Sequence, residues 1–223
     1  MNAEIFEFLR ELRQNNNRDW FHANKERYDV LRKVFIDEVQ QLINRIALFD
    51  PEINGLEAKD CLFRIYRDIR FSPNKLPYKT YFSAYMAKGG RKSEYAGYYI
   101  HLEPDSSLLS GGIWMPPSPL LKMLRQDIYD QIEEFSGIIE NKAFKKTFPI
   151  LEGDSLSRMP MGFPADSPYG YILKHKDFSV MSNRPDSFFM QDNWIEKATE
   201  DFKKLLPFNQ FLNYTVDNYL GNI

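Results

Sequence analysis

Apolar positions alternate between two periods along this chain. Ile5, Phe8, Leu9 and Leu12 fall at i, i+3, i+4 and i+7, which predicts a short amphipathic helix with Asn2 as its N-cap. Asn15-Asn16-Asn17 then acts as a stop. From Asp19 a second helical pattern runs through Tyr28, Leu31, Phe35, Leu42, Ile43 and Ile46 to Asp50-Pro51, about 30 residues if unbroken. Beyond Gly55 the period becomes two: Cys61, Phe63, Ile65, Ile69 and Phe71 share one face, and Arg64, Tyr66, Asp68 and Arg70 the other. That predicts a half-buried strand. Ser72 to Pro77 is turn chemistry, and Tyr78–Lys88, Tyr98–Leu102 and Leu108–Met115 follow as further strands with short connectors, hence mostly antiparallel neighbours.

Ser118 as an N-cap with Pro119 behind it opens a helix carrying Leu120, Leu121, Leu124, Ile128 and Ile132 to Gly137. A shorter helix is expected over Lys142–Phe148. The stretch from Pro149 to Pro185 reads as loop-rich, with helical potential after Ser167-Pro168 and a strand at Phe178–Met181. From Asn193 two helical segments are separated by Pro207. Strands grouped in the middle and helices at both ends predict an α+β fold, a mostly antiparallel central sheet with helices packed on it from both ends of the chain. The expectation is one domain over 1–223, with N-terminal helices in 1–50, a sheet region in 60–116 and a mainly helical part in 118–223.

Composition narrows the function classes. Of 223 residues, 43% are hydrophobic and 27% charged, with 29 Lys+Arg against 31 Asp+Glu. A formal charge of -2 provides no global attraction for nucleic acid, so nucleic acid is not expected as a partner. No apolar run approaches the ~20 residues that span a bilayer, and the acidic start does not resemble a signal peptide; no membrane association is expected. The one cysteine, Cys61, excludes an internal disulfide. A reducing, cytoplasmic location is the expectation.

The candidate chemistry is cationic. Arg64, Arg67, Arg70, Lys75 and Lys79 fall within sixteen positions of an acidic chain. On an extended strand Asp68 and Arg70 stand roughly 6.6 Å apart on one face, near enough to orient one another, whereas Arg64 and Arg70 are roughly 20 Å apart. Guanidinium groups suit bidentate anion recognition, and lysines act as point charges. Arg64, Asp68, Arg70, Lys75, Tyr78 and Lys79 are the candidate ligand-binding residues. Trp114, beside Gly111-Gly112 and the helix start at Ser118, joins them as a stacking surface. Asp68 and His101 are the candidate proton carriers, His101 sharing a face with Tyr99 and Glu103. Arg67 falls by parity among the apolar positions and is expected to be an ion-paired structural residue. Arg125, about two turns into the helix from Ser118, either faces the same cleft or, as the plainer expectation, lies on the surface. No metal site and no cofactor are expected. The competing reading makes the same block an ion-pair network in a protein interaction module, with an oligomer or a protein as the partner.

Several blocks carry a resemblance. They are Asn16-Asn17-Arg18-Asp19-Trp20-Phe21 with Tyr28, Arg67-Asp68-Ile69-Arg70-Phe71-Ser72, Asn74-Lys75-Leu76-Pro77-Tyr78-Lys79, Gly97-Tyr98-Tyr99, Gly112 to Pro116, and Pro160-Met161-Gly162-Phe163. Together they resemble the bacterial conserved hypothetical family known as domain of unknown function 2461. The likeness covers nearly the whole chain and implies a single full-length domain. It implies no reaction and assigns no catalytic residue.

Overall fold

The first helix, α1 (Asn2–Gln14), buries Ile5, Phe6, Phe8, Leu9 and Leu12 completely. The described structure, a computed structural model, comprises residues 2–149 and 151–222. The Asn2 side chain, expected to cap α1, lies outside the described residues. Asn17 caps α2 (Arg18–Ala23) by accepting from the Trp20 N–H at 2.9 Å. The long helix read from Asp19 is broken. Asn24 leaves helical geometry at φ -106°, ψ 16°, and its side chain donates to the Trp20 carbonyl at 2.9 Å, so that α3 (Lys25–Ile46) starts afresh. Its apolar stripe, Leu31, Phe35, Val39, Leu42 and Ile46, is buried along the whole helix.

A 3-10 turn at Pro51–Ile53 and the short α4 (Ala58–Cys61) follow. The predicted strand over 61–71 does not form. Cys61 closes a helix, and residues 62–71 touch the next segment through isolated bridges, Leu62 with Ala84 and Tyr66 with Tyr78. Backbone bonds Phe63 N–H to Ser83, Lys79 N–H to Ile65 and Arg67 N–H to Pro77 span 2.8–3.0 Å. Pairing stops there: Pro73 and Pro77 have no N–H to give, and Phe71, assigned by parity to the buried face, is 94% exposed.

The strands are β1 (Phe82–Met86), β2 (Gly97–Leu102), β3 (Leu108–Ile113), β4 (Leu151–Glu152) and β5 (Phe178–Asn183), hydrogen-bonded in the order β1-β2-β3-β5-β4. The antiparallel β4–β5 pair aligns Leu151 with Val180. The α+β class with a mainly antiparallel sheet and helices at both chain ends stands.

Two compact units divide the described chain. The first holds residues 1–91, 99–109 and 183–200, including α9 (Asp186–Phe189) and most of α10 (Trp194–Lys203). Arg10 pairs with Asp186 and Arg45 with Glu196 within it. The second holds residues 92–98, 110–182 and 201–223. The single helix read from Ser118 is two, α5 (Ser118–Asp130) and α6 (Ile132–Ile139), because Gln131 turns out of helical geometry. Pro117, not Ser118, occupies the N-cap, and Ser118 makes no capping bond. Then come α7 (Lys142–Thr147), capped by Asn141, α8 (Gly170–Leu173), and α11 (Leu206–Leu220), with Pro207 in its first turn. Phe135 packs against Phe178 and Phe208 at the heart of this unit. Arg125 is buried, correcting its surface assignment; it donates to the His175 carbonyl at 2.6 Å.

Candidate functional site

Asn16 joins two parts of the first unit that lie far apart in sequence. Its side-chain amide donates to the Tyr78 carbonyl at 3.0 Å and its Oδ1 accepts the Tyr78 N–H at 3.1 Å. This two-point contact fixes the extended 76–79 stretch against the start of α2. Phe21, on the inward face of α2, stacks on Tyr78 with ring centroids 4.0 Å apart, and Tyr66 meets both rings at 5.8 and 5.5 Å.

An open cleft of about 980 Å³ lies over this aromatic floor. Arg18, Asp19, His22 and Lys25 line it from the helical side, and Tyr66, Arg67, Ile69 and Tyr78 from the loop. Arg67 is half-buried, and its guanidinium donates to the Leu76 carbonyl at 3.2 Å. That replaces the expected ion pair: the partners are the Leu76 carbonyl and, at 3.5 Å, the Ser72 hydroxyl, and Arg67 makes no ion pair among the described residues. Lys25 is held by Asp29, but Arg18 makes no ion pair among the described residues. Burial pushes the Tyr78 phenol above its ordinary value, so it stays protonated and neutral. An aromatic floor under guanidinium groups with no ion pair among the described residues suits an anion carrying a planar group.

The remaining sequence candidates lie elsewhere. Arg70 clamps Asp68 in a two-point pair, Nε to Oδ1 at 3.0 Å and Nη2 to Oδ2 at 2.7 Å, on an exposed loop. Its hydrogen bonds hold the Asp68 carboxyl down at about 2, which makes Asp68 a poor proton acceptor near neutrality. Lys75 donates to the Ile69 carbonyl at 3.0 Å and so holds its own loop together. Lys79 and Arg64 do not line the cleft. Trp114 belongs to the second unit, where it is 73% exposed, between Gly112 at φ 99° and Met115 at φ 51°.

His101 on β2 is central to a chain of polar groups. The Tyr99 hydroxyl sits 2.8 Å from Nδ1, and Nε2 is 3.2 Å from Glu103, whose other oxygen accepts from Thr80 at 2.7 Å. With a neutral ring, Tyr99 donates into Nδ1 and Nε2–H donates to Glu103. Burial pushes the Tyr99 phenol up to about 12. The bond from His101 holds the Glu103 carboxyl below its usual value, with Thr80 and Arg13 acting in the same direction. Tyr81 covers the imidazole at 4.2 Å between centroids. Spacing at i, i+2, i+4 on one strand face explains why these three are legible together in the sequence.

Sequence spacing does not single out Arg18, Phe21 and His22 as site residues. Arg18 and Phe21 carry no signal beyond membership of the Asn16–Phe21 block, which α2 brings against the Pro77-Tyr78 block, and His22 follows it directly. Among the described residues no group of three His, Cys, Asp or Glu side chains is placed to hold a metal ion. No described helix is long and apolar enough to cross a membrane.

Comparison with curated proteins gives no match, and none of the solved structures matches either. A family model does match, described as "Conserved hypothetical protein (DUF2461)", over residues 4–211 of the 223. It takes in both blocks that meet at the Asn16–Tyr78 and Phe21–Tyr78 contacts, and the chain belongs to the DUF2461 family.

Proposed function

We propose that this protein binds a small anionic ligand with a planar portion, phosphate esters among them, in the cleft of α2 and the 66–78 loop. The observation that carries this reading is the pairing of two guanidinium groups with no ion pair among the described residues, Arg18 and Arg67, with the Phe21, Tyr66 and Tyr78 rings around one opening of about 980 Å³. Tyr66 is 45% exposed, so its ring is accessible for stacking. Arg18 supplies charge at the rim, and Arg67 is already oriented by the Leu76 carbonyl. A reducing bacterial cytoplasm is the setting we infer, supported by the lone, buried Cys61 and the family resemblance.

Thermal denaturation with adenosine monophosphate, phenyl phosphate and benzoate, against neutral adenosine, tests the reading. A ligand at ~100 times its Kd adds about 2.7 kcal/mol and raises the midpoint by roughly 5–10 °C at this chain length. The shift should vanish in Arg18→Ala and in Tyr66→Ala, both exposed positions whose own midpoints should stay within about 1–2 °C of the parent. Binding retained in both variants, or no shift with any anion, would remove the cleft assignment.

A second reading draws on Phe71, a phenyl ring 94% exposed with the Arg70 guanidinium 5.9 Å from its centroid. Such a ring at a loop tip suits contact with a protein partner. In that case Phe71→Ala abolishes association and leaves the anion response intact.

A further inference from the structure

Asp19 supplies the one carboxylate among the residues that line the α2 cleft, and its side chain has no hydrogen bond or ion pair among the described residues. The cleft's cations are otherwise arranged. Lys25 pairs with Asp29, and Arg67 donates to the Leu76 carbonyl and the Ser72 hydroxyl. Arg18 is the chain neighbour of Asp19, but side chains at i and i+1 of a helix diverge and do not face each other. Helix α2 therefore presents a cation and an anion to different parts of one opening, whose walls include Phe21, Tyr66 and Tyr78.

A carboxylate without a partner works against a cleft that takes anions. It lowers the affinity of every anionic ligand that offers it nothing, whatever Arg18 and Arg67 contribute. The same group becomes an attraction when the ligand brings it a donor hydrogen, because a hydrogen bond to an ionised acceptor is about twice as strong as a neutral one. A first-turn aspartate also favours the start of α2 through the helix dipole, a role that moves stability and leaves ligand preference untouched.

Resting on the anion-binding reading of this cleft, the geometry points to a ligand that is more than a planar anion: its ring carries an amino or hydroxyl hydrogen at the end away from the anionic group, and Asp19 accepts it. The class is that of amino- or hydroxyl-bearing aromatic phosphates and carboxylates, nucleoside monophosphates among them. Arg18 and Arg67 hold the anionic end, the rings hold the plane, and Asp19 reads the donor. Plain aromatic anions of the same shape are then rejected by the carboxylate, which gives the cleft its selectivity.

The test measures binding of para-aminophenyl phosphate and para-methylphenyl phosphate to the full-length protein by calorimetry. The two match in shape and charge, and only the amine has hydrogens to donate. Wild-type protein should bind the amine about 5–10-fold more tightly. Asp19→Ala should erase that preference and bind the methyl compound more tightly than wild type does, because the repulsion is gone. Asp19 is exposed, so the variant should unfold within about 1–2 °C of the parent. Equal affinities in wild type, or a preference that survives in Asp19→Ala, would overturn the inference; the cleft reading still stands in either case if Arg18→Ala abolishes binding of the methyl compound. Failure of both phosphates to bind wild type would instead overturn the cleft reading, and this inference with it.

Discussion

Phe21 and Tyr78 lie face to face, their ring centroids 4.0 Å apart and their planes 18° from parallel. Phe21 is 2% exposed and Tyr78 6%, so the stack is both the floor of the cleft and part of the hydrophobic core of the first unit. Truncating Phe21 to Ala should cost about 3–5 kcal/mol, as for a buried aromatic whose cavity cannot collapse. Tyr78→Phe keeps the ring and should change stability by less than about 1 kcal/mol. Urea denaturation of both variants measures the difference directly, and equal midpoints would mean that the ring stack contributes nothing.

Glu103 gives stability a defined pH dependence. Its folded-state carboxyl is depressed, chiefly by the bond from His101, so its contribution is fully present above the ordinary glutamate value of 4.5 and is lost as pH falls through the lower folded value. Wild-type protein should therefore exceed Glu103→Gln in stability at about pH 6, and the two should converge on acidification towards about pH 3. Parallel urea midpoints across that range would contradict the assignment.

Asp68 should titrate near 2 by carbon-detected NMR, and its midpoint should return to the ordinary aspartate range in Arg70→Ala. Both side chains are exposed, so neither change should alter the unfolding midpoint measurably. A clear loss of stability in Arg70→Ala would instead make the pair architectural.

Burial pushes the Cys61 thiol up to about 12, so almost no thiolate exists in the folded protein near neutral pH. Iodoacetamide should modify Cys61 at least about 100-fold more slowly in native protein than in urea. Rapid native labelling would contradict the burial.

Two glycines should respond in opposite directions to the same substitution. Gly112 has φ 99°, and a Cβ there would lie 2.2 Å from the Phe178 carbonyl oxygen, so Gly112→Ala should destabilise by more than about 2 kcal/mol. Gly137 sits in α6 with nothing within 4 Å of its would-be Cβ, and Gly137→Ala should stabilise by about 0.5–1 kcal/mol. Calorimetric midpoints moving in the same direction would refute this pair.

Long periodic elements are legible in the sequence because their burial follows one repeat: α1, α3, β2 and β3 lie close to their expected positions. What escapes is decided by single residues. Asn24 breaks a helical pattern that the apolar spacing carries straight through, since its side chain bonds backwards to Trp20. Gln131 does the same between α5 and α6 by leaving helical geometry. The 61–71 segment alternates like a strand, yet Phe63 and Phe71 are exposed because pairing partners, not parity, decide which face is covered. For the candidate site, residue type is readable and company is not. The cationic block is evident, but the sequence does not reveal that Asp68 and Arg70 neutralise one another, or that Arg18, Phe21 and His22 approach from more than forty positions away.

The stretch from Leu62 to Lys79 folds back on itself through few backbone bonds, among them Arg67 N–H to Pro77 and Lys79 N–H to Ile65, and Phe63 N–H ties it to Ser83 beyond its end. Such a segment opens at a free-energy cost well below that of global unfolding. Its amide protons should therefore exchange with solvent in a separate, faster class than those of β2, Tyr66 and Arg67 of the cleft wall among them. Occupancy of this region by any ligand is then measurable as slowed exchange across a whole contiguous segment, even when no atom of the folded average moves.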